Sequence, residues 1–474
     1  MNITKPSKSQ FEPSRDELAS TEIQPFSDLL KPIVEESLEE DQKTGRNRKG
    51  TLFTPMLTVF FILSWVMRRD LSYPKVLDWL ISGVRWLTAC LPKEVVENGT
   101  ITKARQYLGV NIFRLIFEKF TKKHYELTAD FHGRSSVIFD GVTGTTPDTP
   151  SNIAAFGKPS TKKGSAAFPQ IRAVALMSLT LRCILGVAFG PYIGKGTGER
   201  ALMLQIINKF EEKTLLFLFD AGFYAFELLE LFRDTQQEFI IKLNKNFKVK
   251  CIKKLPDGSF IGIITKKFKN PDSTKENPLP QIVKEIEVRV IPYQLKGFRA
   301  ARLITNIFDE TITAKEIVNH YHKRWDIELA FDEIKNHQCA TLKGQLATVF
   351  RSKTVELVEQ ELYAILITYN CIRQLMCQAS EIHNKDPRFI SFSEVLQLLI
   401  TFIPIIAVTQ PSRFRTSINY LLYIISESGI DRPRRPRVNP RVVKVNSSKF
   451  KRKNASHKEE QRSFENDIQI IQIA

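Results

Sequence analysis

The sequence predicts a mixed α/β protein, with a helical N-terminal part and a β-rich segment set inside its sheet domain. Three observations carry this reading. From about residue 131, β-branched and aromatic runs alternate with helical spacing in the order βββαβα, the opening of a mixed sheet. From 238 to about 305, apolar and polar residues alternate around an Asp257-Gly258 turn signal, as antiparallel strands do. Before 131 and after about 313, apolar residues recur at helical intervals.

Residues 1–50 are polar, end in "EESLEEDQKTGRNRKG", carry no secretory signal and read as a flexible lead-in. Residues 51–130 read as a basic helical module containing "YPKVLDWLISGVRWLTACL" and "TITKARQYLGVNIFRLIFEKF", with Thr100 or Thr102 placed to cap a helix. Such a module suits DNA binding and simple helical packing equally. Residues 131–247 begin the sheet domain. There "SSVIFD" is a strand that stops at Asp140, followed by the turn-rich "GVTGTTPDTP". Residues 171–193 give two further strands and 198–210 a helix. "TLLFLFDAGFYAFELLELF" is a buried strand ending at Asp220, a turn at Gly222 and a helix. Residues 248–305 are a lysine-rich β insertion, and 306–430 return to helices, among them "YHKRWDIELAFDEIK" and "EQELYAILITYNCIRQLMCQ". Residues 431–474 read as a disordered basic tail, with ten Lys or Arg and no acid between Arg432 and Lys453.

The net charge of +18 favours a polyanionic partner, nucleic acid or an anionic membrane surface, over mere solubility. Leu52–Met67 and Val395–Val408 are apolar, but each is shorter than the roughly 20 residues of a membrane span and contains a proline, Pro55 or Pro404. Both read as buried helices. The six cysteines show no C-x-x-C spacing, which argues against a zinc finger or disulfide framework. A cytoplasmic protein without membrane contact is expected.

Asp140 and Asp220 each end an apolar strand, where α/β domains commonly place functional groups, although such an Asp often merely caps the next element. On a uniform α-helix Tyr321, Arg324, Glu328 and Lys335 share an arc of about 60°, apart from the apolar stripe of Ile327, Ala330, Phe331 and Ile334. Alone, that row is an ion-pair face. Joined with the two aspartates, Glu328 completes an oxygen-only, anionic site suited to Mg²⁺ or Mn²⁺ and to two-metal phosphodiester chemistry. Arg324 and Lys335 then suit phosphate oxygens, and Tyr321 offers its hydroxyl to the same phosphate.

These residues carry a resemblance. Asp140, Asp220 and Glu328, with Y-x2-R-x3-E-x6-K at Tyr321, Arg324, Glu328 and Lys335, resemble the DDE transposases of the insertion sequence 4 family. "FDG", "DAGFY", "RLIT", "RWDIELAFDEIK", "FTP" and "ITKARQYLG" extend the likeness over roughly residues 51–425. The resemblance implies an RNase H-like core with a β-rich insertion between the second Asp and the Glu, and a helical N-terminal domain that binds transposon ends. It implies cut-and-paste transposition with two Mg²⁺ ions per site, Mn²⁺ being able to substitute. In that reaction water frees a 3′-OH, the 3′-OH forms a hairpin with the opposite strand, and the reopened end joins target DNA. By the same carry-over Asp140, Asp220 and Glu328 are metal ligands, while Tyr321, Arg324 and Lys335 hold the terminal phosphates. The implied partners are double-stranded DNA, as terminal inverted repeats and target, and a second copy in a synaptic homodimer at the nucleoid.

Two departures stand out. Asp140-Gly141-Val142-Thr143 replaces the frequent Asp-Gly-Thr, and no tryptophan lies in the insertion, leaving Tyr293 or Phe298 to stack a flipped base. "GPYIGKGTGER" lacks P-loop spacing and reads as a turn before a helix, with Lys195 near DNA. His320 and His322 point apart at i, i+2 and read as surface histidines. The residues leave three rivals: a DNA-binding protein without catalysis, a nuclease on the same core, and a membrane-associated basic protein. The last lacks the amphipathic basic helix it would need beside residues 51–67.

Overall fold

The first helix, α1 (Gln24–Glu40), is hidden by its own polar composition. Phe26, Leu29, Leu30, Ile33, Val34 and Leu38 recur on one side and are buried, while the glutamates face water. Part of the lead-in expected to be flexible is therefore a packed helix. These coordinates are a computed structural model, which describes residues 24–43, 53–82, 98–161, 164–194, 196–244, 246–272, 279–294, 300–339, 350–406 and 409–429. The basic tail, Lys195, Phe298 and most of "SGVRWLTACL" lie outside the described residues.

Helix α2 (Pro55–Met67) starts with Pro55 at its first turn and the Thr54 hydroxyl accepting from the Leu57 amide, and it is buried on nearly every side. Among the described residues three more helices follow: α3 (Tyr73–Leu80), α4 (Asn98–Leu108) and α5 (Asn111–His124). Thr100 and Thr102 lie inside α4 rather than capping it, and the Thr102 hydroxyl turns back to the Asn98 carbonyl.

The sheet domain runs β1 (Ser135–Thr145), α6 (Pro150–Phe156), β2 (Gln170–Ser178), β3 (Ile184–Pro191), α7 (Glu199–Ile207), β4 (Leu215–Phe219), α8 (Phe226–Thr235) and β5 (Glu238–Leu243). The lysine-rich segment adds β6 (Lys250–Lys254), β7 (Phe260–Phe268), β8 (Ile282–Tyr293) and β9 (Ala301–Thr305). These nine strands form one sheet in the order β3-β2-β1-β4-β5-β9-β8-β7-β6, and the short segments Ser160–Thr161 and Gly164–Ser165 pair separately. Only the β1·β4 and β4·β5 pairs are parallel. This segment thus extends the sheet through β9, which pairs antiparallel with β5.

Strand β4 is "LLFLF", buried throughout, as a parallel strand covered on both faces must be. Strand β1 does not stop at Asp140. It continues to Thr145, because Val142 through Thr145 still pair with β2, ending at Thr145 opposite Gln170. Thr149 then caps α6, with Pro150 at its first position.

Successive β1 residues alternate between two faces. On one, the Ser136 hydroxyl meets His320 Nε2 at 2.7 Å. On the other, the Phe139 ring stacks on Phe219 and touches Phe223. Asp140 belongs to the first face and Gly141 to the second.

After the sheet come α9 (Ala314–His322), a 3-10 turn (Lys323–Trp325), α10 (Asp326–Asp332), a π-turn (Glu333–Gln338), α11 (Val355–Ile382), α12 (Phe392–Ile406) and α13 (Pro411–Glu427). Helix α11 joins the N-terminal helices to the core. Its Glu361 pairs with Arg69 at 3.0 Å, both side chains fully buried, and its Gln360 accepts from buried Arg105. Helix α12 buries one side as expected. Among the described residues no helix is long and apolar enough to cross a membrane.

The β6–β7 turn reaches the N-terminus of α9. Asp257 accepts from the Ala314 amide at 2.6 Å, pairs with fully buried Arg289 at 2.6 Å, and also accepts from the Ser259 amide and hydroxyl. Burial alone would raise this carboxyl. The Ser259 and Ala314 hydrogen bonds and the Arg289 charge outweigh it, and the pKa falls from 3.8 to about 2. A depressed carboxyl stabilises the fold above its unfolded pKa and loses that contribution as pH falls through the folded value. Asp257→Asn should therefore lower the urea midpoint at pH 7, and its gap from wild type should narrow as pH drops from about 4 towards 2. A pH-independent gap would remove the Asp257 charge from this account.

Candidate active site

The register of β1 against β4 builds the site. Phe139 lies opposite Phe219, so the next residue on each strand is an aspartate, Asp140 beside Asp220. Asp140 stays in the sheet opposite Ala175 of β2. Asp220 leaves it, opening the 3-10 turn Ala221–Phe223, and its carbonyl accepts from the Phe223 amide. One Asp140 oxygen accepts from the Gly141 amide at 2.8 Å, and the other lies 3.5 Å from Arg324 Nη1. Burial, the largest influence, and the charge of Asp220 push the Asp140 carboxyl up, and Gly141 and Arg324 offset this only in part. Two carboxylates sharing one half-buried pocket favour an added cation.

The other residues come from the helical rod that crosses this face. Thr313 and Glu316 close a capping box at the start of α9. Tyr321 is buried, and its hydroxyl donates to the Phe219 carbonyl at 2.9 Å, one residue before Asp220. Burial drives that hydroxyl far above the ordinary phenol range. Arg324 is buried too, with its guanidinium 6.0 Å from the Tyr321 ring centre and 5.4 Å from that of Trp325. Burial opposes its charge, but Tyr321, Asp140, Asp220 and Glu328 together hold it more firmly protonated. Five of the six expected residues thus share one electrostatic field.

Lys335 is the exception. It is half-buried, burial lowers its pKa, and the other group acting on it is Cys339 rather than a carboxylate of the site. The reason is that the signature stretch is not one uniform α-helix. Its pitch tightens at Lys323–Trp325 and loosens over Glu333–Gln338, where the Cys339 amide reaches back five residues to the Ile334 carbonyl at 2.8 Å. Tyr321 and Arg324 turn inward and Glu328 outward, so the row expected within one arc divides. Ile327, Ala330 and Ile334 are buried as expected.

His320 is not on the surface. It is buried, stacked on Phe131 at 4.2 Å, and burial lowers its pKa to about 3. Its partners are a ring and a hydroxyl, so it forms no metal pair with exposed His322. Tyr293 ends β8 close enough for Arg324 to influence its hydroxyl, which burial raises. Sequence reasoning missed Arg373, a buried cation on α11 that pairs with Glu333 and so anchors the π-turn, with the Tyr369 hydroxyl donating to the same carboxylate. An arginine on the stripe of buried positions of α11, between Ile372 and Met376, was the available signal.

Among the described residues no three acids, histidines or cysteines form a ready-made metal-binding group. The two aspartates lie side by side, and the charge of Glu328 acts on the Arg324 that also faces Asp140. Their oxygen-only chemistry and the raised Asp140 carboxyl fit a hard divalent cation.

The Transposase DDE domain family matches residues 131–371, and the Insertion element 4 transposase N-terminal family matches residues 21–118. The transposase InsG for insertion sequence element IS4 of Escherichia coli (strain K12) is 30% identical over 455 residues, covering 93% of this chain and 95% of that protein. InsZ of the same strain, also described as a transposase, is 29% identical over 140 residues, 28% of this chain and 45% of that protein. A DDE domain carries an RNase H-like α/β core, acts on DNA and depends on a divalent metal, generally Mg²⁺. Matched by both families and by a relative along nearly its whole length, the chain belongs to the insertion sequence 4 family of DDE transposases.

Proposed function

We propose that this transposase moves its insertion sequence by cut-and-paste chemistry, with Asp140, Asp220 and Glu328 as its metal ligands and catalytic acids. The observation that carries the reading is the β1·β4 register, which sets Asp140 beside Asp220 under the buried Arg324. When bound, two Mg²⁺ ions, or Mn²⁺ in their place, would activate the attacking oxygen and stabilise the leaving one. Water frees a 3′-OH at each transposon end, that hydroxyl closes a hairpin on the opposite strand, and the reopened 3′-OH joins target DNA. Arg324 and Lys335 hold the terminal phosphates and the hairpinned end. Tyr321 shares that task and also, through Phe219, fixes the strand that delivers Asp220.

The helical segment 51–130 binds the transposon ends, 131–247 and 306–430 supply the catalytic core, and 248–305 is an insertion whose edge strand exposes Lys250, Lys253 and Lys254 to DNA. Residues 1–50 lead in, and the basic tail, 431–474, adds a sequence-independent phosphate grip. Two copies act in one synaptic complex on the nucleoid, because two ends must be cut together.

The test incubates the protein and Mg²⁺ with the inverted-repeat ends that flank its coding region, and resolves the products on a denaturing gel. Nicks should mature into hairpins and double-strand breaks. Asp140→Ala, Asp220→Ala and Glu328→Ala should each lower the rate by more than about a thousandfold, several kcal/mol of transition-state stabilisation, while sparing DNA binding. Full activity in one of them would remove that residue from the site. Nicks without hairpins or joining would indicate a nuclease, and end binding without cleavage a non-catalytic descendant. Lys335→Ala should reduce the slope of log K against log salt by about one, as loss of one phosphate contact does. An unchanged slope would take Lys335 off the phosphates.

A further inference from the structure

We propose that Glu199 and Arg200, the first two residues of α7, are positioning residues that set the two catalytic aspartates from the opposite face of the sheet. The inference rests on the reading in which Asp140 and Asp220 bind the metal.

Gly141 follows Asp140 on β1 and faces the other way, towards α7. A Cβ placed there would lie 2.6 Å from Cδ and from Oε1 of Glu199 and 2.9 Å from its Cγ. Only a glycine admits so close an approach. The Gly141 amide is the group that holds one Asp140 oxygen, at 2.8 Å. The Glu199 carboxylate therefore packs against the backbone unit that orients Asp140. Attraction of an acid to a helix N-terminus explains why a glutamate suits the first turn, but not why it presses on that glycine.

Arg200 makes the matching contact at the second aspartate. Its Nε donates to the Gly222 carbonyl at 3.0 Å, within the 3-10 turn that Asp220 opens. Consecutive residues of one helix thus touch both aspartate segments, one within β1 and one in the turn just past β4.

Helix α7 is itself firmly seated. Leu202, Met203, Ile206 and Ile207 are buried, and α7 packs so tightly on β3 that a Cβ at Gly186 would lie 2.7 Å from Ile206 Cγ2. A rigid support of this kind holds the spacing between two like charges, which would otherwise relax apart. Residues that orient metal ligands from behind typically alter affinity by about 10–100-fold when removed.

The experiment titrates Mn²⁺ into the full-length protein by calorimetry and measures the Mg²⁺ concentration for half-maximal nicking. Wild type is compared with Asp140→Ala, Glu199→Ala, Arg200→Ala, Gly141→Ala and Gly141→Ala/Glu199→Asp. Glu199→Ala and Arg200→Ala should each weaken Mn²⁺ binding by about tenfold or more and raise the Mg²⁺ requirement, with melting temperature and end binding unchanged. Gly141→Ala should do the same by displacing Glu199. The double variant, whose acid is one methylene shorter, should regain much of the affinity. Wild-type Mn²⁺ affinity in both Glu199→Ala and Arg200→Ala, with Asp140→Ala defective, would overturn this proposal alone. Wild-type affinity in Asp140→Ala as well would overturn the metal-site reading beneath it.

Discussion

The parallel pairing of β1 with β4 is the constraint on which the rest depends. With Phe139 opposite Phe219, both strands put aromatic rings on the α8 face and deliver their aspartates together. A slip of one residue would turn each β1 side chain to the wrong face, sending Asp140 under α7 and α8 and its phenylalanine under the signature rod. Each buried phenylalanine is worth about 1.5–3 kcal/mol, and Phe139, Phe217, Phe219 and Phe223 pack together, so the apolar side of the sheet fixes the polar side. Burial of Asp140 follows from the same arrangement. The strand that bears it is paired on both sides up to Phe139, which fixes the backbone from which the carboxyl extends towards Asp220.

The buried arginines divide by how closely they are held. Arg69 meets Glu361 at 3.0 Å, Arg289 meets Asp257 at 2.6 Å, and Arg373 is bound to both Glu333 and Tyr369. Breaking such a pair leaves a buried charge and costs about 3–5 kcal/mol, so these are fixed joints. Arg324 is buried as well, yet its distance to Asp140 is 3.5 Å. A guanidinium so placed retains donors for an anion while lending partial charge balance to the aspartates. That is the behaviour expected of a group whose partner changes during a reaction.

The two aspartates were legible because each directly follows an apolar run that must be a buried strand, ending in Phe139 before Asp140 and in Phe219 before Asp220. The succession of core strands and helices along the chain, apart from short α6, followed for the same reason. Where a distant partner decides, sequence misled. Gly141-Val142-Thr143-Gly144 reads as a turn, and only pairing with β2 keeps it extended. His320 reads as a surface residue until Phe131 and Ser136 cover it. Helix α1 was lost because Glu35, Glu36, Glu39 and Glu40 dominate its composition while its narrow apolar side carries the energy. The split of Lys335 from the carboxylates was beyond any uniform helical projection, since changes of pitch at two turns redirect everything after them.

Those changes of pitch also explain why the signature rod needs the whole fold. It is held at successive points by segments far apart in the chain. Asp257 of the insertion receives the first amide of α9. The Phe219 carbonyl of β4 holds Tyr321. Arg182, in the β2–β3 turn, pairs with Asp326 at 2.9 Å where α10 begins. Arg373 of α11 pairs with Glu333 in the π-turn. Between the second and third of these ties lies Arg324, and just beyond the third lies Glu328, so neither can be placed by its own helix alone. The insertion is accordingly more than an ornament between the second aspartate and the glutamate. It extends the same sheet through β9 and, through Asp257 and the Ala314 amide, anchors the near end of the rod.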